Sequence, residues 1–206
     1  MLDFIVIAVF GLVTFSSIVL FYHHYLSLWF TRESQRQCSL GGLFGIGTVL
    51  LMLHPVEIAP GLLLDARFLL IGFAGLLTGW RGIVIALTLS ITTRLFIGGQ
   101  GALIGCLTLL LSAGIGLAWR SLQGKLTFGP FWRFLAFGAA LSLSLITVTL
   151  FPEPSRASAI TKALPFLVVL NMVGGLIAGY LNISVREVAK SRAYMRQLAL
   201  FDDLNP

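Results

Sequence analysis

The chain has 206 residues, of which 57% are hydrophobic and only 11% are charged. An ordinary soluble domain carries about 25% charged residues, so one soluble core could not bury this much apolar side chain. The net charge of +6 favours positive loops on the cytoplasmic side of a membrane over nucleic-acid binding. We therefore predict an all-α integral membrane protein, a bundle of six or seven transmembrane helices with short loops and a cytoplasmic C-terminal helix.

Seven apolar segments can be marked along the chain. They cover residues 4–30, 40–54, 62–80, 82–97, 101–119, 131–151 and 163–183. The first has no basic leading region and no small-residue cleavage site, so it is expected to be a retained helix rather than a signal peptide. The segments 40–54 and 82–97 are short, and a six-span count would merge or discard one of them.

The basic residues predict the orientation. With seven spans and an outside N-terminus, ten of the 14 Lys and Arg residues fall on the cytoplasmic side, as the positive-inside rule requires. They are Arg32, Arg36, Arg81, Arg120, Lys125, Arg133, Arg186, Lys190, Arg192 and Arg196. The four tryptophans agree, since all lie at predicted cytoplasmic ends, and Trp prefers the interface. They are Trp29, Trp80, Trp119 and Trp132.

Small residues four apart recur in the apolar segments, and in lipid such pairs let helices pack closely. The pairs are Gly41/Gly45, Gly75/Gly79, Gly101/Gly105 and Gly175/Gly179. We predict packing rather than ligand contact for these glycines. Asn171 is predicted to form an interhelical hydrogen bond, and Ser142, Ser144 and Thr147 to bond back to their own helix.

Two arginines are predicted to lie at one depth. Arg67 is 13 residues before Trp80, and Arg94 is 13 residues after Arg81. If the chain turns around at Trp80-Arg81, a rise of about 1.5 Å per residue puts both about 20 Å above the cytoplasmic turn. They then lie in the outer third of a hydrocarbon core about 30 Å thick. Cys106 is expected to descend to a similar depth after a turn at Gly98-Gly99.

An arginine inside a span costs about 2.5 kcal/mol or more on insertion scales, so something must offset both charges. Arg67 could snorkel towards its helix end. Asp65 could pair with one arginine. Alternatively, the pair could bind an anion, because the guanidinium fork matches the two oxygens of a carboxylate.

The stretch from residue 62 to 105 resembles the signature of the LytS/YhcK-type five-transmembrane receptor (5TMR-LYT) family. The family motif has an Asp-x-Arg at the start of one span, a glycine at the turn that follows, and an Arg, three hydrophobic residues and Gly-Gly-x-Gly at the end of the next span. Its matches here are Asp65, Arg67, Gly79, Arg94, Gly98, Gly99 and Gly101. The clear likeness covers about residues 62–119, and the span pattern is compatible to about residue 183.

This resemblance implies a bacterial inner-membrane sensor, which we assign to residues 1–185. The basic residues and tryptophans predict that its N-terminus is outside and its C-terminus cytoplasmic. It implies a small anionic ligand of the pyruvate type, bound from the extracytoplasmic side. Candidate ligand-binding residues are Arg67, Arg94, Asp65, Cys106, Gly98 and Gly99. Besides the ligand, the expected partners are the lipid bilayer and a second copy in a homodimer, and not nucleic acid.

Residues 186–206 are predicted to form a cytoplasmic signalling helix towards an output domain beyond Pro206. The run Leu198–Leu204 resembles the entry to a GGDEF diguanylate cyclase, although Asn205-Pro206 departs from the expected Thr-Gly. The alternatives are the sensor part of a histidine kinase, the substrate-binding subunit of a vitamin-type transporter, or a structural protein without a ligand.

No carboxylate pair, phosphate loop or nucleophile motif is present in the sequence, so we predict no catalytic residues within this chain. The full-length protein could still be a diguanylate cyclase. His23, His24 and His54 fall on opposite sides of the predicted membrane, so we predict no metal site and no cofactor.

Overall fold

A computed structural model gives the fold of most of the chain. It describes residues 2–22, 32–53, 56–59, 62–64, 66–99, 101–127, 129–153 and 155–181. Within these ranges the protein is helical apart from one small hairpin, which confirms the predicted fold class. Five of the described helical segments are long and apolar enough to cross a membrane, and Ile5–Phe21 is a shorter apolar helix.

The regular elements follow the predicted segments with few exceptions. The first half contains α1 (Leu2–Phe21), α2 (Glu33–Leu53), the antiparallel strands β1 (Val56–Ala59) and β2 (Leu62–Leu64), and α3 (Arg67–Ile97). The second half contains α4 (Ala102–Leu122), α5 (Pro130–Leu141), a 3-10 helix (Ser142–Leu150), α6 (Ser155–Ser158), a π-helix (Ala159–Ala163) and α7 (Leu164–Leu181).

The predicted helix over residues 62–80 is wrong at its start. Residues 62–64 form β2, whose Leu64 pairs with Val56, and the helix begins only at Arg67. A short apolar run bounded by turn residues fits a strand as well as a helix, so periodicity alone could not separate the two.

Helix α3 is broken at Gly79. Its backbone there has φ 76° and ψ −169°, a conformation that is almost restricted to glycine. We name the part before this residue α3a (67–78) and the part after it α3b (80–97). The predicted turn at Trp80-Arg81 is therefore present, one residue earlier than expected, and Gly79 serves the turn rather than helix packing.

The two parts of α3 fold back on each other. A Cβ placed on Gly105 of α4 would lie 3.0 Å from Nη2 of Arg67 and 3.0 Å from Nε of Arg94. In one straight helix, their spacing of 27 positions would separate these arginines by about 40 Å. Both can reach one glycine only if α3a and α3b form a helical hairpin, as the sequence predicted.

Helix α3a lies at the centre of the bundle. Every residue from Ala66 to Leu76 is buried, which is typical of a helix surrounded on all sides. Its Phe73 packs between Phe15 of α1 and Phe137 of α5, with ring centroids 4.5 and 5.2 Å away. A displacement of α3a would therefore also displace the side chains of α1 and α5 that pack against it.

Glycines allow the close contacts between neighbouring helices, as predicted. Gly41 of α2 packs on the backbone of Gly82 in α3b, and Gly75 of α3a packs on Gly116 of α4. In the last part of the bundle, Gly175 of α7 approaches the backbone of Gly138 in α5. Such contacts bring backbones together where lipid provides no hydrophobic drive between helices.

Candidate functional site

Arg67 is the first residue of α3a, directly after the N-cap residue Ala66. Its side chain is only 9% exposed. The N-terminus of a helix carries a partial positive charge and unused backbone N–H groups, which favour anions. The guanidinium of Arg67 therefore adds a full positive charge to an end of the helix that is already electropositive.

Arg94 lies in the last turn of α3b and is 1% exposed. Its Nη1 donates a hydrogen bond to the carbonyl oxygen of Gly98 at 3.2 Å. A cation at a helix C-terminus interacts favourably with the helix dipole. Part of the cost of burying Arg94 is therefore offset within its own helix end.

The two guanidinium groups meet beside Gly105. Nη2 of Arg67 and Nε of Arg94 each lie 3.0 Å from the place that a Cβ would take on this residue, so they are at most about 6 Å apart. Like charges at such a separation repel each other. The absence of a side chain at residue 105 gives both groups room, so this member of the Gly101/Gly105 pair faces the arginines rather than a neighbouring helix.

The turn between α3b and α4 was predicted from its glycines and is confirmed. Gly98 and Gly99 have φ values of 69° and 91°, which other residues rarely adopt. Gly101 is the N-cap residue of α4, and a Cβ there would lie 3.6 Å from Nη2 of Arg94 and 2.9 Å from Cε1 of Phe151. The Phe151 ring, which follows the 3-10 helix, therefore packs against the same residue of α4 that Arg94 approaches.

Two predicted site residues remain, Cys106 and Asp65. Cys106 is half-buried, follows Gly105 on α4 and lies within electrostatic range of both arginines. Asp65 lies outside the described residues. Within the described part of the chain, no group of three or more His, Cys, Asp or Glu side chains is arranged to hold a metal ion.

The site therefore combines two buried guanidinium groups with the N-terminus of a central helix. A ligand carboxylate could accept two parallel N–H bonds from either guanidinium, and such charge-assisted bonds are stronger than neutral ones. The arrangement is suited to binding a small anion.

The comparisons with known proteins now decide the family. The family model described as 5TMR of 5TMR-LYT matches residues 20–186. The chain belongs to the 5TMR-LYT family. This match extends the likeness seen in the sequence to most of the chain, and it makes the protein a multi-pass membrane sensor module. Neither a curated protein nor a solved structure matches it.

Sequence reasoning missed three residues at the centre of this 5TMR-LYT domain. Gly101 and Gly105 were assigned to packing, and Phe151 was taken as the end of a span. Their positions relative to Cys106 could have drawn attention to the two glycines, since Gly105 directly precedes Cys106 and Gly101 lies one turn of α4 before Gly105. No signal in the sequence marked Phe151, because its contact depends on how the 3-10 helix lies against α4.

Proposed function

We propose that this 5TMR-LYT domain is a receptor for a small carboxylate, which binds between Arg67 and Arg94. The observation that carries the proposal is the convergence of the two buried guanidinium groups on Gly105. Burial strengthens the attraction between each guanidinium and a bound carboxylate. It also keeps the ligand small, since both groups lie within a packed bundle.

The ligand enters from the extracytoplasmic side in this proposal. Trp80, Arg81 and Trp132 lie at the opposite end of the bundle, where Trp80 and Trp132 are 66% and 62% exposed. Arg81 stacks over the Trp80 ring, 5.4 Å from its centroid. Aromatic residues with adjacent basic residues favour a cytoplasmic interface, which supports an inner-membrane protein whose arginine pair faces outwards.

The signal leaves through the C-terminal segment. Ligand binding shifts the population of helix arrangements if its affinity for them differs. The segment after α7 transmits the change to a cytoplasmic output domain, and the likeness of residues 198–204 to a GGDEF entry makes a diguanylate cyclase our choice. Such a cyclase would act as a homodimer. Residues 186–206 lie outside the described residues, so this step is supported by the sequence alone.

A thermal-shift experiment tests the proposed site. We expect pyruvate, at about 100 times its dissociation constant, to stabilise the purified protein by about 2.7 kcal/mol, or roughly 5–10 °C for a domain of this size. Methyl pyruvate, which lacks the charged carboxylate, should have no effect. Lactate and acetate in the same screen test how much of the ligand beyond the carboxylate is recognised.

Single substitutions show whether the arginines are responsible. Arg67→Ala and Arg94→Ala should each abolish the shift, whereas Arg81→Ala removes an exposed arginine far from the site and should retain it. If one of the alanine variants fails to fold, Arg94→Lys keeps the charge but not the two-pronged donor, and should weaken binding. An unchanged shift in both Arg67 and Arg94 variants would contradict the proposal.

A further inference from the structure

The sixth apolar segment changes its winding halfway along. Residues Pro130–Leu141 form an α-helix, and the nine residues Ser142–Leu150 continue it as a 3-10 helix. Runs of 3-10 helix longer than three or four residues are uncommon, because their hydrogen-bond geometry is poorer. Contacts with other helices can therefore influence whether this winding is kept.

The outer end of the 3-10 helix lies near Arg94. Phe151 follows it directly and packs against Gly101, beside Arg94. Thr147 is buried, and its hydroxyl lies 2.6 Å from the hydroxyl of Thr108 on α4. Because Thr108 comes three residues after Gly105, this contact is one turn of α4 below the guanidinium groups.

The hydroxyl contact competes with two backbone bonds. Thr108 also donates to the carbonyl oxygen of Ile104, and Thr147 to that of Ser144. Two hydroxyl protons serve three hydrogen bonds, so one of the three must always be given up. The attachment of the 3-10 helix to α4 is therefore easily exchanged for a bond within either helix.

The inner end of the 3-10 helix is tied to the last described helix. The side-chain Nδ2 of Asn171 in α7 donates to the hydroxyl of Ser142 at 3.2 Å. Asn171 is fully buried, and its backbone lies against Gly138, so α5 and α7 are in close contact there. One short segment thus connects the arginine pair with the helix that leads to the C-terminus.

We infer that Ser142–Leu150 is a switch between 3-10 and α winding that couples the arginine pair to α7. Each residue advances about 120° in a 3-10 helix and about 100° in an α-helix. Over the five residues from Ser142 to Thr147 the difference is about 100° of rotation. The contacts of Ser142 with Asn171 and of Thr147 with Thr108 therefore cannot both survive conversion to an α-helix.

The switch rests on the proposed carboxylate site and adds its regulation. The nine residues span about 18 Å as a 3-10 helix and about 13.5 Å as an α-helix. A ligand that moves the arginines also moves Phe151 and the α4 turn that carries Thr108. The resulting shortening of about 4.5 Å changes how α5 and Asn171 of α7 are held, which passes the signal to the C-terminal segment.

The first experiment tests the switch without a ligand. Nitroxide labels are attached at Trp132 and Glu153, which are exposed and lie on either side of the 3-10 helix. Each is replaced by a ketone-bearing residue that reacts with the label, so Cys38 and Cys106 stay native. Thr147→Val removes the hydroxyl contact with Thr108 at nearly constant shape. We expect the distance between the labels, measured by pulsed electron resonance, to shorten by about 4 Å.

Thr149→Val is the matched control. Thr149 lies in the same segment, but it is exposed, and its hydroxyl donates to the carbonyl oxygen of Ile146 within that segment. This variant should leave the distance unchanged. An unchanged distance in the Thr147 variant, or an equal shortening in both, would overturn the switch even if carboxylates bind.

The second experiment adds pyruvate to the labelled protein. If pyruvate stabilises the protein and also shifts the distance between the labels towards the value measured in Thr147→Val, the coupling is supported. Stabilisation without any change of distance overturns the coupling while the carboxylate site stands. If pyruvate gives no stabilisation but Thr147→Val still shortens the distance, the carboxylate site fails and the winding switch stands.

Discussion

Arginine side chains lie at both ends of α3a, but one end of the helix is electronegative and the other is electropositive. At the inner end, Arg120 of α4 donates from Nη1 to the carbonyl oxygens of Leu76 and Leu77, at 3.1 and 2.9 Å. A helix C-terminus is negative, so this arginine neutralises it. At the outer end, Arg67 stands at the positive N-terminus and Arg94 approaches it.

The difference separates a structural arginine from the proposed binding site. Arg120 satisfies carbonyl groups that the break at Gly79 would otherwise leave without intrahelical partners. At the outer end, Arg67 instead adds positive charge to the positive N-terminus of α3a, and Arg94 brings a second guanidinium close to it. An anion stabilises such an arrangement. Perturbing the inner end should therefore affect stability, and perturbing the outer end should affect ligand binding.

Breaking the inner turn should have the largest effect on stability. Gly79→Ala forces a side chain into a backbone conformation at φ 76°, for which we expect a cost of about 1–3 kcal/mol. The new Cβ would also lie 3.4 Å from Cζ of Arg120. The thermal unfolding midpoint in detergent should fall by several degrees. Gly114→Ala, at an exposed position on α4 with open space around it, should not lower it.

Removing the arginine at the inner end should have a smaller effect of the same kind. Arg120→Met keeps most of the side-chain length but loses the bonds to the two carbonyl groups. Hydrogen bonds of this kind contribute about 1–2 kcal/mol, so the unfolding midpoint should fall by a few degrees. The carboxylate-dependent shift should persist. Loss of that shift in Arg120→Met, but not in Arg81→Met, would mean that the two ends of α3a are not functionally separate.

Much of the outer end could be predicted from the sequence. The turn near Trp80 and the equal distances of Arg67 and Arg94 from it were enough to bring the two side chains together. The positive φ of Gly98 and Gly99 was also foreseeable, because glycines after an apolar segment commonly end a helix. These features depend on the number of residues between two positions and on the residue types, and both can be read from the sequence.

The contacts of Arg120 at the inner end of α3a and the 3-10 winding of the sixth apolar segment could not be predicted in the same way. Arg120 was counted as a loop cation, because its acceptors are backbone carbonyl groups more than 40 residues away. The bonds that attach Ser142–Leu150 to the rest of the bundle involve Thr108 and Asn171, which lie on other helices. Contacts between distant segments decide such features, and periodicity along one segment does not contain them.

Binding of radiolabelled pyruvate to Gly105→Ala tests the central claim most directly. The added Cβ would lie 3.0 Å from a nitrogen of each guanidinium, so it fills the space between them while both charges remain. We predict an affinity at least about tenfold lower than that of the wild type, equivalent to about 1.4 kcal/mol. Gly114→Ala on the same helix should bind normally. Wild-type affinity in the folded Gly105→Ala protein would contradict a carboxylate site between Arg67 and Arg94.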